Sequence, residues 1–419
     1  MISAKANRPK IAWRATAPSI ILVVNSFVWY IFTYWTFIEI VDGPLVPGET
    51  EKLLLYIAYF VGVAVSAIIG SKLFPRMRIP ALSLWQFIGA LATLSLTLIS
   101  NSNMLGNTAL ALFLGASVGI GLPSCLSYFA DSTAVENRGL IGGIIWGIVG
   151  FSVLIFAFLS TIAGQWAFTF IGILAIWRCS GCLGFIALSE EHQAVTPQKS
   201  LSYLELIRKR EILLYLFPWL MFCIINFAES SILNAHFSDL GADFQLISIL
   251  EYGIIGVVAT IAGYFADLVG RKRIVIAGFI MIGIEYAALT FLPKEAALAA
   301  LYLYLALDGV TWGLFFSVFF MAIWGDLGEN YDKEKYYTLG GLPFFLAGFL
   351  PVLIEWLARL FSVDLANYAA AAFSLASFFL FLAVLPLMYA PETLPEKKMR
   401  ERELKGYLEK AKKEAAKYS

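Results

Sequence analysis

The stretch GYFADLVGRKR, residues 263–273, is a short charged turn between two apolar runs that are each long enough to cross a bilayer. Its glycines permit a tight bend and a close approach of the flanking helices. Asp267 offers an anion to the N-terminus of a neighbouring helix. The cations from Arg271 to Arg273 mark a cytosolic side. The stretch therefore predicts two membrane helices that are joined by a cytosolic turn.

The composition of the whole chain agrees with this prediction. Of the 419 residues, 60% are hydrophobic and only 14% are charged, whereas charged residues make up about 25% of a soluble protein. The mean hydropathy is +0.78. We therefore predict a polytopic protein of the lipid bilayer. The formal net charge of zero argues against nucleic acid as a partner.

Twelve apolar runs are long enough to span a membrane, which needs roughly 20 apolar residues per helix. The runs lie at 15–38, 52–71, 80–99, 108–130, 140–163, 166–188, 212–236, 245–265, 274–292, 296–323, 339–362 and 367–390. The predicted fold class is therefore an all-α integral membrane protein with 12 transmembrane helices.

The distribution of basic residues predicts the orientation of these helices. With an even number of spans, both termini and every second loop lie on one side of the membrane. That side carries all of the 30 Lys and Arg residues except Lys52, Arg178, Lys294 and Arg359. Since positive residues accumulate in the cytosol, we predict that both termini are cytosolic.

The chain also repeats itself with an offset of roughly 195 to 200 residues, as duplicated six-helix units do. Asn25 in the first run corresponds to Asn226 in the seventh. The predicted domains are an N-terminal six-helix bundle at 1–190, a cytosolic connector at 191–211, a C-terminal six-helix bundle at 212–392 and a charged cytosolic tail at 393–419. In the connector, Ser202 and Glu205 have the spacing of a helix capping box.

The stretch at residues 263–273 strongly resembles the loop signature of the major facilitator superfamily of transporters. It has the order Gly-x-x-x-Asp-x-x-Gly-Arg-Lys-Arg and follows the eighth predicted helix, where that family carries its signature. ENRG at 136–139 looks like the pattern that the family places after helix 4, and PET at 391–393 is similar to the ending of its sugar and metabolite carriers. The resemblance covers about residues 13 to 392. It implies two pseudo-symmetric six-helix bundles that alternate access to a central site.

The resemblance is incomplete in three places. The corresponding turn GSKLFPRMR, residues 70–78, keeps a glycine and the cations but lacks the acid. Ala111 stands near the position where many proton-coupled members have an arginine, and the fifth helix lacks the Gly-Pro pair of the drug antiporters. These departures leave the substrate class open. The missing acid predicts that a conformational gate depends mainly on the second half of the chain.

Acidic residues inside apolar runs are the main candidates for solute or proton binding, because a charge at mid-membrane costs about 2.5 to 3.5 kcal/mol and needs a partner or a function. The resemblance implies that helices 1, 4, 7 and 10 line the central cavity. The predicted substrate and proton site consists of Asn25, Ser26, Trp29, Ser117, Ser124, Asn226, Glu229, Ser230, Asp308, Thr311 and Trp312. Glu229 and Asp308 are its expected carboxylates. The alternative is that both acids only form hydrogen bonds between helices.

Other charged residues in the apolar runs are not assigned to this site. Glu355 and Arg359 are four residues apart on one helix and are expected to form a structural pair. Arg178 and Glu285 fall on helices that the resemblance places at the periphery, and the sequence assigns them no role.

The signature residues are expected to act on conformation. By pseudo-symmetry, Asp267 should reach the N-terminal end of the fifth helix near Gly139, and Arg271 or Lys272 should pair with Asp326. The predicted gate consists of Gly263, Asp267, Gly270, Arg271, Lys272, Asp131, Glu136, Arg138 and Asp326. The alternative is a turn that is needed only for topology.

Together these patterns predict a secondary active transporter of the plasma membrane. We expect alternating access with proton-coupled symport of a small neutral or cationic metabolite, in a protein that functions as a monomer. An exporter of hydrophobic compounds, working as an antiporter, is the alternative within this class. From another class, the alternative is a membrane sensor or scaffold that has the fold but does not transport.

We expect no enzymatic activity, no cofactor and no bound metal. Both histidines, His192 and His236, lie at or beyond the ends of predicted helices. The sequence contains no nucleophile or metal-ligand constellation of the kind that membrane-embedded hydrolases need.

Overall fold

The computed structural model describes residues 10–46, 48–100, 103–163, 168–186, 200–239, 244–292, 296–395 and 407. These residues form helices and no β-strand, as expected for a chain that must satisfy its backbone hydrogen bonds inside a bilayer. Within the described ranges, the predicted all-α membrane fold is confirmed.

The described residues of the first half contain eight α-helices. They are α1 (Trp13–Asp42), α2 (Glu49–Leu73), α3 (Arg78–Ser95), α4 (Met104–Gly119), α5 (Leu122–Asp131), α6 (Arg138–Ala163), α7 (Phe168–Ser180) and α8 (Leu183–Ile186). A break at Ile120 and Gly121 separates α4 from α5, which together form one long apolar segment. The helices α7 and α8 form another apolar segment.

The second half begins with a short connector helix. Its helices are α9 (Tyr203–Arg208), α10 (Arg210–Asp239), α11 (Phe244–Val269), α12 (Arg271–Phe291), α13 (Ala297–Leu314), α14 (Trp324–Leu327), α15 (Lys333–Ala347), α16 (Phe349–Leu360), α17 (Ala369–Leu382) and α18 (Val384–Tyr389). A π-helix at Phe315–Ile323 joins α13 to α14. The predicted capping box is confirmed at α9, where Ser202 and Glu205 bond reciprocally.

In the described part of the chain, 11 helical segments are long and apolar enough to cross a membrane. One of them, Glu49–Leu98, has 50 residues and contains α2 and α3 on either side of a 3-10 turn at Phe74–Met77. A straight helix of that length would measure about 75 Å, more than twice the bilayer core of about 30 Å. Each of the twelve predicted spans therefore has a helical counterpart.

The two halves approach each other most closely along α6 and α11, where glycines replace side chains. A Cβ atom on Gly143 would lie 2.3 Å from the carbonyl oxygen of Ala259, and one on Gly263 would lie 2.1 Å from that of Gly139. No side chain fits at such distances, so the glycines allow backbone to pack on backbone. The turn at residues 263–273 thus lies at the contact between the halves.

A layer of buried rings also crosses between the halves. Trp146 of α6 stacks on Phe316 of the π-helix with ring centroids 3.7 Å apart, and Phe27 of α1 lies against both Trp146 and Phe320 at 4.9 and 5.6 Å. Aromatic pairs in favourable geometries add about 0.5–1.5 kcal/mol each beyond the burial of their area. We call these four residues the aromatic layer.

Candidate functional site

A cavity of about 400 Å³ lies between the two halves on one side of the aromatic layer. We call the end of the molecule with the turn between α11 and α12 the inner end, which is the predicted cytosolic end, and the opposite end the outer end. Asp42, at the outer end of α1, lines the cavity and is exposed, whereas Phe316 forms its buried floor. The cavity therefore opens at the outer end.

Aromatic rings form much of the cavity wall. The first half contributes Tyr30, Tyr34 and Trp35 from two turns of α1, and the second half contributes Tyr252 and Trp312. The rings of Trp35 and Tyr252 meet edge to face across the two halves, with centroids 6.0 Å apart. The wall is thus apolar but presents many ring faces to a ligand.

Two carboxyl groups meet in the deeper part of the cavity. Glu251 of α11 and Asp308 of α13 both line it and are hydrogen-bonded to each other. Asp308 also accepts a hydrogen bond from the amide of Asn226 at 3.3 Å and is bonded to Tyr304 and Trp312. Since an ionised carboxyl group can only accept, a hydrogen bond between two carboxyl groups requires a proton on one of them. We call Glu251 and Asp308 the carboxyl pair.

The cavity is acidic as well as aromatic. Besides the carboxyl pair, Asp42 and Glu355 line its outer part, and the described lining residues include no lysine or arginine. Arg359 does approach Glu355, at 3.6 Å, but its side chain is 55% exposed and lies outside the cavity. The structural pair predicted for Glu355 and Arg359 is thus present, although Arg359 makes a shorter contact, 2.7 Å, with Glu49 of α2.

The structure brings four of the predicted site residues together at the cavity. These are Asn226, Ser230, Asp308 and Trp312, all from the second half. Glu229 and Thr311 neighbour them in sequence but are buried within the protein and do not line the cavity. One carboxylate oxygen of Glu229 has no hydrogen-bond partner among the described residues.

The residues predicted from the first half lie elsewhere. In α4, the hydroxyl group of Ser117 donates to the carbonyl oxygen of Leu114 one turn before it. Ser124 of α5 is fully buried away from the cavity. The contribution of the first half to the cavity thus comes from α1 and from Tyr56 of α2.

Three predicted site residues of α1 hold a buried arginine instead of facing the cavity. Arg178 donates to Ser26 at 2.9 Å and to Asn25 at 3.3 Å. Its guanidinium carbon lies 4.1 Å from the ring centroid of Trp29 and 4.0 Å from that of Trp85. Arg178 is fully buried and has no carboxylate partner among the described residues. The ring faces on both sides stabilise the cation, so Asn25, Ser26 and Trp29 have a structural contact that the sequence did not indicate.

Sequence reasoning missed the aromatic wall of α1 and the role of Glu251. Tyr30 and Tyr34 have the i, i+4 spacing of one helix face, and this was the signal available in the sequence. The acid at position 251 was visible inside an apolar run, but only the structure shows that it bonds to Asp308.

At the inner end, Asp267 occupies the position that the sequence predicted. Its two carboxylate oxygens accept hydrogen bonds from the backbone amides of Gly139 at 3.0 Å and Leu140 at 2.8 Å. These amides belong to the first turn of α6, which has no internal acceptor for them. Asp267 also pairs with Arg271 one turn later in the chain. One side chain of the second half thus caps a helix of the first.

Asp326 joins two arginines from different halves. It lies 2.6 Å from Arg138 of α6 and 2.9 Å from Arg271 of α12, and all three side chains are fully buried. The sequence predicted that either Arg271 or Lys272 pairs with Asp326. In the structure the partner is Arg271. Lys272 instead donates to the backbone oxygens of Met388 and Ala390, both at 2.9 Å.

The turn of the first half takes part as well, despite its missing acid. Arg78 pairs with Asp131 at 2.6 Å and also with Glu334 of α15. Lys333 reaches back to Asp131 at 2.7 Å. Although the turn itself lacks an acid, Arg78 thus has two acidic partners, one from α5 and one from α15. We call the set Arg78, Asp131, Arg138, Asp267, Arg271, Asp326, Lys333 and Glu334 the inner charge network.

The PET segment after α18 completes the inner end. Glu392 accepts hydrogen bonds from the backbone amides of Arg271 at 2.8 Å and Lys272 at 3.2 Å, and so caps α12. The preceding residue, Gly270, has a φ of 106°, and a Cβ atom there would lie 2.3 Å from the Glu392 carboxylate. Glycine is thus needed at 270 both for its backbone conformation and for the cap. Glu136, also predicted at the gate, is buried in the 3-10 turn before α6.

Comparisons with known proteins agree with this architecture. The family model of the Major Facilitator Superfamily matches residues 18–342. No curated protein matches the chain. The proton:xylose symporter XylE, solved with bound 6-bromo-6-deoxy-D-glucose, has a TM-score of 0.65 at 15% identity, with 91% of this chain and 96% of that one covered. A bacterial homologue of the iron transporter ferroportin, solved in an outward-facing state with soaked iron, has a TM-score of 0.67 at 12% identity. The match covers 91% of this chain and 100% of that one. At these identities the likeness concerns the fold.

Proposed function

The chain belongs to the major facilitator superfamily, and from this premise we propose that it is a secondary active transporter of a small organic solute in the plasma membrane. The observation that carries the proposal is the cavity of about 400 Å³ between the halves, open at the outer end while the inner charge network closes the other. Rocking of the two halves would expose the same cavity to each side in turn. One chain supplies both halves of the cavity, which supports function as a monomer.

We further propose that transport is coupled to protons. The carboxyl pair supports this, because a carboxyl group that binds a proton on one side and releases it on the other links solute movement to the gradient. With a neutral metabolite, the proton and the solute would occupy the cavity together, and the outcome would be symport. The aromatic wall favours the second candidate, an exporter of hydrophobic compounds.

Flux through purified protein in liposomes tests both parts of the proposal. Solute pools are offered with and without an imposed pH gradient, and uptake is compared for the wild-type protein, Asp308→Asn and Glu51→Gln. Glu51 is an exposed acid on α2 and serves as the matched control. We expect gradient-dependent uptake that is lost in Asp308→Asn and retained in Glu51→Gln.

Two other outcomes would change the conclusion. Uptake that does not depend on the pH gradient would support a transporter and contradict proton coupling. A protein that is folded and moves no solute would support the remaining alternative, a sensor or scaffold that uses this fold without transport.

A further inference from the structure

We propose that Arg178 is a positioning residue for the cavity, because it fixes the rotation of α1 about its axis and so holds the aromatic wall in place. The inference rests on the proposed transport function and deepens it by naming a buried residue, outside the cavity, on which the shape of the solute site depends. Three observations support it: the contacts of the guanidinium group, the opposite sides that α1 presents to Arg178 and to the cavity, and the continuity of this helix.

The guanidinium group of Arg178 is held mainly by α1. Its Nη1 atom donates to the Ser26 hydroxyl group at 2.9 Å and to Asn25 Oδ1 at 3.3 Å. The ring centroids of Trp29 and Trp85 lie 4.1 and 4.0 Å from its central carbon. An ionisable side chain inside the membrane is costly and points to a function, and no carboxylate among the described residues pairs with this one. Three of its four contacts belong to α1, so the cation acts on that helix.

The α1 residues that contact Arg178 are also bonded to neighbouring helices. The indole group of Trp29 donates to the hydroxyl group of Thr93 on α3 at 2.7 Å. The side-chain amide of Asn25 donates to the backbone oxygen of Trp177 on α7, and the indole group of Trp177 donates back to the carbonyl oxygen of Asn25 at 3.1 Å. One side of α1 is therefore tied to both α3 and α7, and these contacts resist rotation of the helix.

The cavity lies on the other side of α1. Successive residues of a helix differ by about 100° around its axis. This spacing places the cavity residues Ile31, Tyr34 and Ile38 nearly opposite the side that contacts Arg178. The only proline of α1, Pro18, precedes both sets of residues. They lie on one uninterrupted stretch of helix, so a rotation at the Arg178 contact turns the cavity side by the same angle.

A small rotation of α1 would change the cavity. Side-chain ends lie about 5 to 6 Å from a helix axis, so a rotation of about 20° moves them by roughly 2 Å. The hydroxyl group of Tyr34 donates to the carbonyl oxygen of Gly348 at 3.2 Å, and the rings of Trp35 and Tyr252 meet at 6.0 Å. Both contacts join the two halves at the cavity. Since a functional site becomes too loose when its groups shift by about 1 Å, the rotation of α1 decides how well the cavity fits its solute.

The test compares two cysteine reporters on opposite sides of α1, in a background without the four native cysteines. Ile38→Cys replaces a residue that lines the cavity, whereas Thr36→Cys replaces a buried residue on the side of the Arg178 contact. The purified full-length protein is treated with a sulfonated maleimide, and both alkylation rates are measured. With Arg178 present, we expect Ile38→Cys to react at least about tenfold faster than Thr36→Cys, because only the cavity side is open to water.

Substitution of Arg178 should reduce the difference between the two reporters. Arg178→Met removes the cation but keeps an unbranched side chain, so we expect the ratio of the two alkylation rates to fall to about twofold or less. The matched control is Arg76→Met, which removes an exposed arginine of the first half and should leave the ratio unchanged. Thermal unfolding shows whether each variant is folded.

A second variant decides the matter if Arg178→Met does not fold. Ser26→Ala removes the nearer hydrogen-bond acceptor of Arg178 and leaves the charge in place. Loss of one hydrogen bond to a charged group should lower the ratio of the alkylation rates about threefold.

The inference and the proposed function fail in different ways. A ratio that is unchanged in folded Arg178→Met, or in Ser26→Ala if Arg178→Met does not fold, overturns the inference. A lowered unfolding midpoint with an unchanged ratio does the same, because Arg178 would then only stabilise the bundle. If the ratio falls but the wild-type protein moves no solute in liposomes, Arg178 still positions α1 and the proposed transport function is overturned.

Flux measurements connect the rotation of α1 to the solute. For a solute that the wild-type protein carries in liposomes, Arg178→Met should raise the half-saturating concentration roughly tenfold and change the maximal rate less. An unchanged half-saturating concentration would contradict the role of Arg178 in the solute site.

Discussion

The two ends of the molecule contain buried carboxylates in opposite electrostatic settings. At the inner end, Asp267 and Asp326 face arginines at hydrogen-bond distance. In the cavity, Glu251 and Asp308 lie together, and the lining residues that the structure describes include no lysine or arginine. The acids of the inner end are thus satisfied by the protein, whereas those of the cavity are left for a proton or a ligand.

This difference separates residues that hold a conformation from residues that act on a solute. A buried ion pair adds little net stability, because desolvation of its charges opposes their attraction, but removal of one partner costs about 3–5 kcal/mol. Arg138 and Arg271 come from different halves and share Asp326. Removal of Asp326 should therefore destabilise the contact between the halves. Breaking the inner charge network should therefore shift the balance between conformations and leave the cavity chemistry intact.

The largest effect is expected for Asp326→Asn. It leaves two buried guanidinium groups without their shared carboxylate, which should weaken the closed inner end by about 3 kcal/mol, or roughly a hundredfold in the conformational equilibrium. The measurement is the alkylation rate of a reporter, Ser127→Cys, in a background without the four native cysteines. Ser127 is buried beside Arg78 in the closed state.

The matched control for this substitution is Glu51→Gln, which removes an exposed acid and should leave the reporter protected. Equal alkylation rates in Asp326→Asn and in the control would show that the inner charge network does not hold the inner end closed.

The next largest effect is expected for Asp267→Ala. Its loss leaves the amides of Gly139 and Leu140 without an acceptor, at about 1–3 kcal/mol for a buried unsatisfied group, so closure of the inner end should slow. We predict a fall in transport rate of roughly tenfold with the half-saturating solute concentration nearly unchanged. Asp267→Asn keeps one acceptor oxygen, so its transport rate should fall less. A wild-type rate in Asp267→Ala would refute the role of this contact.

The inner end was more predictable from sequence than the cavity, for a physical reason. Asp267 and its partner amides belong to a turn and a helix start, where backbone groups without internal partners dictate what must be nearby. The duplicated register then places the acid near Gly139. Such contacts follow from residue type and position along the chain.

The cavity depends on the rotation of each helix, which sequence constrains poorly when a helix is apolar all round. Successive residues differ by about 100° around the axis, so a one-residue error moves a side chain from one face to another. On α1, the prediction chose Trp29, which faces Arg178, whereas Tyr30 faces the cavity. The partner that fixes this rotation, Arg178, lies about 150 residues away in the chain.

A smaller effect is expected where the halves touch without charges. In Gly263→Ala, the new Cβ would lie 2.1 Å from the carbonyl oxygen of Gly139, which forces α6 and α11 apart at a cost of about 1–3 kcal/mol. Gly253→Ala on the same helix is the matched control, since its Cβ would meet only Leu154 at 3.4 Å. Thermal unfolding of the purified variants should show a lowered midpoint for Gly263→Ala alone. Equal midpoints would mean that the close backbone approach is not required.

The smallest effect is expected for Arg359→Gln at the outer end. Arg359 bridges the halves through Glu49 at 2.7 Å, but the two side chains are 55% and 45% exposed, and exposed pairs contribute about 0–1 kcal/mol. We therefore expect the Ser127→Cys reporter to react as in the unsubstituted protein, at low and at high salt. Arg359 and Asp326 both connect the two halves, but they differ in burial and in the end of the molecule at which they lie. If Arg359→Gln exposed the reporter as strongly as Asp326→Asn does, neither the burial of the inner charge network nor its position at the inner end would explain why that end is closed.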